Sequence, residues 1–139
     1  MINKIDIIDL NPSLLSLIYM PETNRKIILV ILLSIIVIGI IAIPLGNPKF
    51  IYRAIGLELT FIFIFLAILK GYTKIIYICV PIAAVVIIAN TLAPQHVDIM
   101  LTFSKPLNAI LLIIGGYVLQ TLLIYFSINY LYRTRSKSL

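Results

Sequence analysis

The sequence predicts an all-α integral membrane fold, with four transmembrane helices preceded by a short N-terminal interfacial helix, in one domain over residues 1–139. Three observations predict it. Hydrophobic residues make up 62% and charged residues 12% of the chain, with a mean hydropathy of +1.15, too little polar surface to cover a water-soluble globule. Four apolar runs, Ile27–Ile43, Phe50–Leu69, Ile75–Leu92 and Leu107–Tyr130, each approach the roughly 20 residues that cross a hydrocarbon core. The net charge of +6 is spread over the short segments between those runs rather than gathered in one patch, which makes it a topology signal and argues against a nucleic-acid partner.

In chain order, residues 1–26 read as a cytoplasmic segment. Asn11 followed by Pro12 is a helix N-cap with proline at the first helical position, and Leu14, Leu15, Leu17 and Ile18 give the segment apolar surface up to an expected stop at Pro21. Such a helix would lie on the cytoplasmic leaflet or dock on a partner subunit. The first span starts only near residue 27 and ends without a small-residue cleavage site, so it reads as a retained anchor rather than a secretory signal. Pro44-Leu45-Gly46-Asn47-Pro48 breaks the chain after it. The second run contains Phe61-Ile62-Phe63-Ile64-Phe65, whose period of two resembles a strand, but inside a continuous apolar run only a helix satisfies the backbone; a barrel would need polar lumen positions that are missing. Gly71 ends the second span, Pro81 frees the carbonyl of Tyr77 in the third, and Pro94 and Pro106 bracket the connection to the fourth. Residues 131–139 read as a cytoplasmic tail with a polar, frayed end over Arg133–Leu139.

With four spans, Lys4, Arg25, Lys26, Lys70, Lys74, Arg133, Arg135 and Lys137 fall on one side and Lys49, Arg53 and Lys105 on the other. This asymmetry places both termini in the cytoplasm of a prokaryotic cell membrane, and the isoleucine-rich composition is archaeal-like. Tyr72, Tyr130 and Tyr132 fall at the cytoplasmic level and Tyr52 at the opposite one, as interfacial anchors.

Polar residues within the spans are the candidate sites. Glu58 is the only acid inside a span, roughly 12 Å along the helix from Phe50 at 1.5 Å per residue. It reads either as a proton or cation site or as a hydrogen-bonded tie to Asn90, a tyrosine or a neighbouring subunit, and the tie is preferred because no other span carries a charged companion. On the fourth helix Gly116, Tyr117, Gln120, Thr121, Tyr125 and Ser127 form an expected packing arc opposite a lipid-facing arc of Leu112, Leu119, Leu122, Leu123 and Phe126. Gln120 and Thr121 are expected to bond between helices rather than to line a permeation path. Ala83, Ala84, Asn90 and Thr91 give the third helix a similar face.

In the outer connection, His96 and Met100 are four residues apart and share a helical face, a weak copper-like pair that a single chain cannot complete. Pro94 would start a short interfacial helix there. Cys79 is the only cysteine, so no intrachain disulfide or cysteine-based zinc site can form. No phosphate-binding loop, zinc-protease motif or nucleophile elbow occurs, and no cofactor of the chain's own is expected beyond lipid contacts. The expectation is therefore a non-catalytic accessory subunit of a larger membrane complex, whose partners are other integral membrane subunits and the bilayer. An energy-converting or oxidising assembly is the expected setting: a terminal oxidase, a quinol-oxidising complex or a copper membrane monooxygenase. The alternative is a small homo-oligomeric transporter or channel in which Glu58, Asn90, Gln120 and Thr121 converge on a shared path.

Overall fold

The computed structural model describes residues 12–137, with backbone alone for 12–21 and 137. Every regular element among them is helical: α1 (Pro12–Ala42), α2 (Ile51–Leu69), α3 (Ile76–Leu92), α4 (Pro94–Thr102), α5 (Pro106–Ile113) and α6 (Leu119–Lys137). A π turn, Ile114–Val118, joins α5 to α6 into one long helix. Four of the resulting helices are long and apolar enough to cross a membrane: Glu22–Leu45, Pro48–Leu69, Thr73–Leu92 and Pro106–Ser136.

Two expectations about the ends are corrected. Helix α1 does not stop at Pro21; it runs unbroken from Pro12 to Ala42, so the separate N-terminal helix is the first part of the long one. A proline removes one backbone bond and crowds the turn before it, and a long helix can absorb that local loss where a short isolated one would end. The C-terminal segment is not frayed through Arg135 either, since α6 continues to Lys137. The expected Asn11 cap, Ser138 and Leu139 lie outside the described residues, as do the side chains of Leu14, Leu15, Leu17 and Ile18.

The turns follow the sequence punctuation. Pro44 lies in the 3₁₀ turn Ile43–Leu45 and Pro48 opens another, Pro48–Phe50, where the Asn47 side chain accepts the Lys49 N–H at 3.0 Å. Gly71, at φ 99°, closes α2 while the Tyr72 N–H reaches back to the Ala67 carbonyl at 2.9 Å. We call the end bearing the Gly71 turn and the α6 terminus the near end, and the opposite one the far end. At the far end, Asn108 Nδ2 donates to the Leu45 carbonyl at 3.0 Å and Asn47 Nδ2 to Gln95 Oε1 at 3.3 Å, tying the first turn to α4 and α5.

Helices α1 and α6 form the central pair, with α2 packed on α1 and α3 packed on α6; α2 and α3 meet only slightly. A groove of about 300 Å³ lined by Leu57, Thr60, Pro81, Ile82 and Val85 marks that open seam. Buried positions recur at steps of three and four: Ile76, Cys79, Ala83 and Val86 on α3, and Gly116, Gln120, Leu123, Ser127 and Tyr130 from the π turn into α6. This is the spacing of helices that interlock at a shallow crossing angle.

It also corrects the expected arcs. Leu123 is fully buried rather than outward-facing, while Thr121 and Tyr125 point outward and Tyr130 is a core residue rather than an exposed anchor. On α3, Thr91 is likewise exposed. Leu123→Ala is therefore expected to destabilise the detergent-solubilised protein by about 2 kcal/mol or more, whereas Leu122→Ala costs well under half of that. Reversible unfolding of both variants checks this register, and equal losses would contradict it.

Candidate functional site

The polar side chains gather around three glycines. Gly39, on α1, faces the Glu58 carboxyl so closely that a Cβ there would overlap it. Its neighbour Ile38 packs on Gly115 of the π turn, where an added Cβ would come within 2.8 Å of Ile38 Cγ2. Adjacent residues of a helix differ by 1.5 Å in height and 100° in direction, so Glu58 and the π turn meet α1 at one level from two sides. Gly116, the next residue of the π turn, faces α3, and its missing Cβ leaves the place occupied by the Asn90 amide. Asn90 in turn meets His96 of α4, Oδ1 to Nδ1 at 3.1 Å. One polar layer thus crosses the bundle, from α2 through α1 and the π turn to α3 and α4.

Each part of this layer has a local cause. The Gly115-Gly116 pair lets two neighbours approach the backbone of one helix, and the π turn is where that helix yields. Gln120, 1% exposed, closes on the turn, its Nε2 donating to the Gly115 carbonyl at 3.0 Å. Its Oε1 is buried without a hydrogen-bond partner among the described residues. One residue on from Asn90 and Gly116, the Thr91 and Tyr117 hydroxyls meet at 3.1 Å, with Thr91 also donating to the Ile87 carbonyl.

Of the sequence-derived candidates, the layer gathers Glu58, Asn90, Gln120 and His96, the last with Asn90 rather than with Met100. It does not include Thr121, which is exposed on the outer side of α6. The expected tie between Glu58 and Asn90 is not formed: the Glu58 carboxyl lies against Gly39 of α1, whereas the Asn90 amide lies against Gly116 of the π turn. Glu58 is 9% exposed and its Oε1 has no hydrogen-bond partner among the described residues. Such a carboxyl is placed to hold a proton or to accept a bond from a donor brought by another chain. Met100 is half-buried and Asp98 exposed, and among the described residues no three His, Cys, Asp or Glu side chains come together as metal ligands would. The Asn90–His96 pair spans the break at Pro94, which is why helical spacing alone does not reveal it. Gly39 carries no motif; only its place opposite Glu58 marks it.

His96 makes a pH-sensitive contact outside the long apolar helices. Burial holds its pKa below the ordinary 6.5, so the imidazole is neutral near pH 7 and its Nδ1–H donates to Asn90 Oδ1. Comparison of the chain with protein-family models, with characterised proteins and with solved structures finds no match.

Two outcomes follow for the layer. Because the unfolded chain takes up a proton on His96 at higher pH than the folded one, stability present above the ordinary value of 6.5 is lost as pH falls from there towards the depressed folded value. Thermal midpoints in detergent should thus fall more between pH 7.5 and roughly 5.5 for the native chain than for His96→Gln, and parallel curves would contradict the burial of the imidazole. Gly116→Ala gains helix propensity of about 1 kcal/mol yet must displace the Asn90 amide, so a net loss of stability is expected. In the Asn90→Ala background the same substitution is expected to be neutral or stabilising.

Proposed function

We propose that the chain is a multi-pass protein of a prokaryotic cell membrane, with both termini and the near end cytoplasmic, and that it serves as a non-catalytic subunit of a larger integral membrane assembly. The observation that carries this reading is a stripe of hydroxyls on the outer side of the fourth long helix. Tyr117, Thr121 and Tyr125 follow one another at four-residue steps, Thr121 and Tyr125 are exposed, and Thr91 joins the stripe through Tyr117. Hydrocarbon offers such groups no partner, whereas a neighbouring helix does. The open seam between α2 and α3 supports the same reading, as a groove that a helix from another subunit would fill. The charge distribution supports the orientation. An energy-converting or oxidising complex is the proposed setting, in which this chain would stabilise the catalytic subunit.

One observation favours a second reading. The buried, unpartnered Glu58 Oε1 suits a proton or cation site in a homo-oligomeric transporter. Glu58→Gln separates the two, since an amide keeps the shape but cannot take up and release a proton. The subunit reading predicts that assembly and turnover both persist in Glu58→Gln. Normal assembly with lost turnover would instead make this chain part of the chemistry.

Purification from native membranes in mild detergent is expected to bring down other integral membrane subunits in fixed ratio. Thr121→Leu combined with Tyr125→Phe should reduce that comigration severalfold while leaving the chain's own helicity and thermal midpoint unchanged. A monodisperse monomer that moves a solute in proteoliposomes would overturn the subunit reading. For orientation, a membrane-impermeant thiol reagent applied to intact cells should label Ser104→Cys and spare Ser136→Cys; the reverse pattern would invert the topology.

A further inference from the structure

The near end carries a feature that the polar layer does not use. A groove of about 380 Å³ opens between the start of α3 and the end of α6, lined by Thr73, Lys74, Tyr77, Tyr130, Thr134 and Arg135. Lys74 stands in the 3₁₀ turn Thr73–Ile75 that leads into α3, and Arg135 in the last turns of α6, so the two cations reach the groove from different helices. Tyr130, 8% exposed, belongs to the core, and Thr134 is held to it by a 2.6 Å bond from its hydroxyl to the Tyr130 carbonyl. The Tyr77 ring is 61% exposed at the edge of the groove. Leu131 completes an apolar flank.

Cations outnumber carboxylates among the described side chains at this end. Among the described side chains, Arg25, Lys26, Lys70, Lys74, Arg133 and Arg135 gather there against a single carboxylate, Glu22, which Arg25 already engages at 2.7 Å. Excess positive charge at a helix end fixes orientation and needs no pocket. A concave site that combines two cations from separate helices, hydroxyls and an apolar flank, at the level where the apolar runs stop, matches a ligand that is itself anionic at one end and apolar at the other.

We propose that this groove binds an anionic phospholipid of the cytoplasmic leaflet, with its phosphate held by Lys74 and Arg135 and its acyl chains against Tyr77 and Leu131. The site rests on the membrane reading given above. It links the α2–α3 turn region to the end of α6 through a lipid, at the end of the bundle opposite the polar layer.

The test uses the full chain purified in a non-ionic detergent and titrated with phosphatidylglycerol, phosphatidylcholine or inorganic phosphate, read by native mass spectrometry and thermal midpoint. Phosphatidylglycerol is expected to remain bound and to raise the midpoint, while phosphatidylcholine and inorganic phosphate do neither. Lys74→Ala with Arg135→Ala should weaken phosphatidylglycerol binding about fivefold per charge removed, about 25-fold in all. Lys74→Arg with Arg135→Lys should keep it, and so should the far-end pair Arg53→Ala with Lys105→Ala. Equal retention of the two lipids, undiminished binding in the charge-removed variant, or the same stabilisation by inorganic phosphate would overturn the lipid site. If the charge-removed variant is not monodisperse, failure of the charge-keeping pair to retain phosphatidylglycerol overturns it instead. Release of the chain from membranes by alkaline carbonate would sink the membrane reading itself, whereas retention without lipid selectivity would sink the groove proposal alone.

Discussion

The approach of side chains to glycine is the constraint on which the rest of the bundle depends. A helix that is apolar on every side has no hydrophobic face to choose, so burial alone cannot set its rotation against a neighbour. Close packing and polar contacts set it instead. Gly39 admits the Glu58 carboxyl, Gly115 admits Ile38 and Gly116 admits the Asn90 amide, and these three approaches fix α2, the π turn and α3 around the α1–α6 pair. Once they are fixed, the apolar side chains follow: Ile28, Leu32 and Ile35 of α1, and Phe61, Ile64 and Ile68 of α2, are buried because the glycine contacts turn those faces inward.

The two ends of the bundle then carry different chemistry. Towards the far end, polar groups bond to one another across helices, the half-buried Asn90 with His96 and the exposed Thr91 with Tyr117. The near end is a surface of cations around a groove. The first arrangement orders the chain internally, and the second faces outward. Glu58 belongs to the internal layer by position, yet its Oε1 has no bond among the described residues, which makes it a place where an added proton, donor or subunit would act on the packing.

Helix positions were legible in the sequence because apolar length and proline or glycine punctuation determine them. The breaks at Pro44, Gly71, Pro94 and Pro106 all occur where the chain turns. Pro21 was misleading, since a proline reads the same whether it ends a helix or lies within one. Rotation was much less legible. Leu123 and Leu122 are the same residue type, and only the three-and-four spacing through Gly116, Gln120 and Ser127 distinguishes the buried one. Of the candidate site, Glu58, Asn90 and Gln120 were found because a polar residue in an apolar run demands a reason. Gly39 escaped because a glycine in such a run demands none until its partner is known. Thr121 was expected on the packing arc and faces outward. The single Asn90–His96 bond joins two helices across a proline, beyond the reach of periodicity.

The most direct measurement is a double-mutant cycle between Gly39 and Glu58 in the detergent-solubilised chain. With Glu58 present, Gly39→Ala forces the carboxyl out of its place and is expected to cost about 1 kcal/mol or more, against the helix propensity it gains. With Glu58→Ala the added methyl has room, so the propensity gain alone remains and the same substitution should be neutral or stabilising. A coupling of about 1 kcal/mol or more between the two sites is what a glycine-centred polar layer predicts. Additive effects, with Gly39→Ala equally mild in both backgrounds, would contradict it.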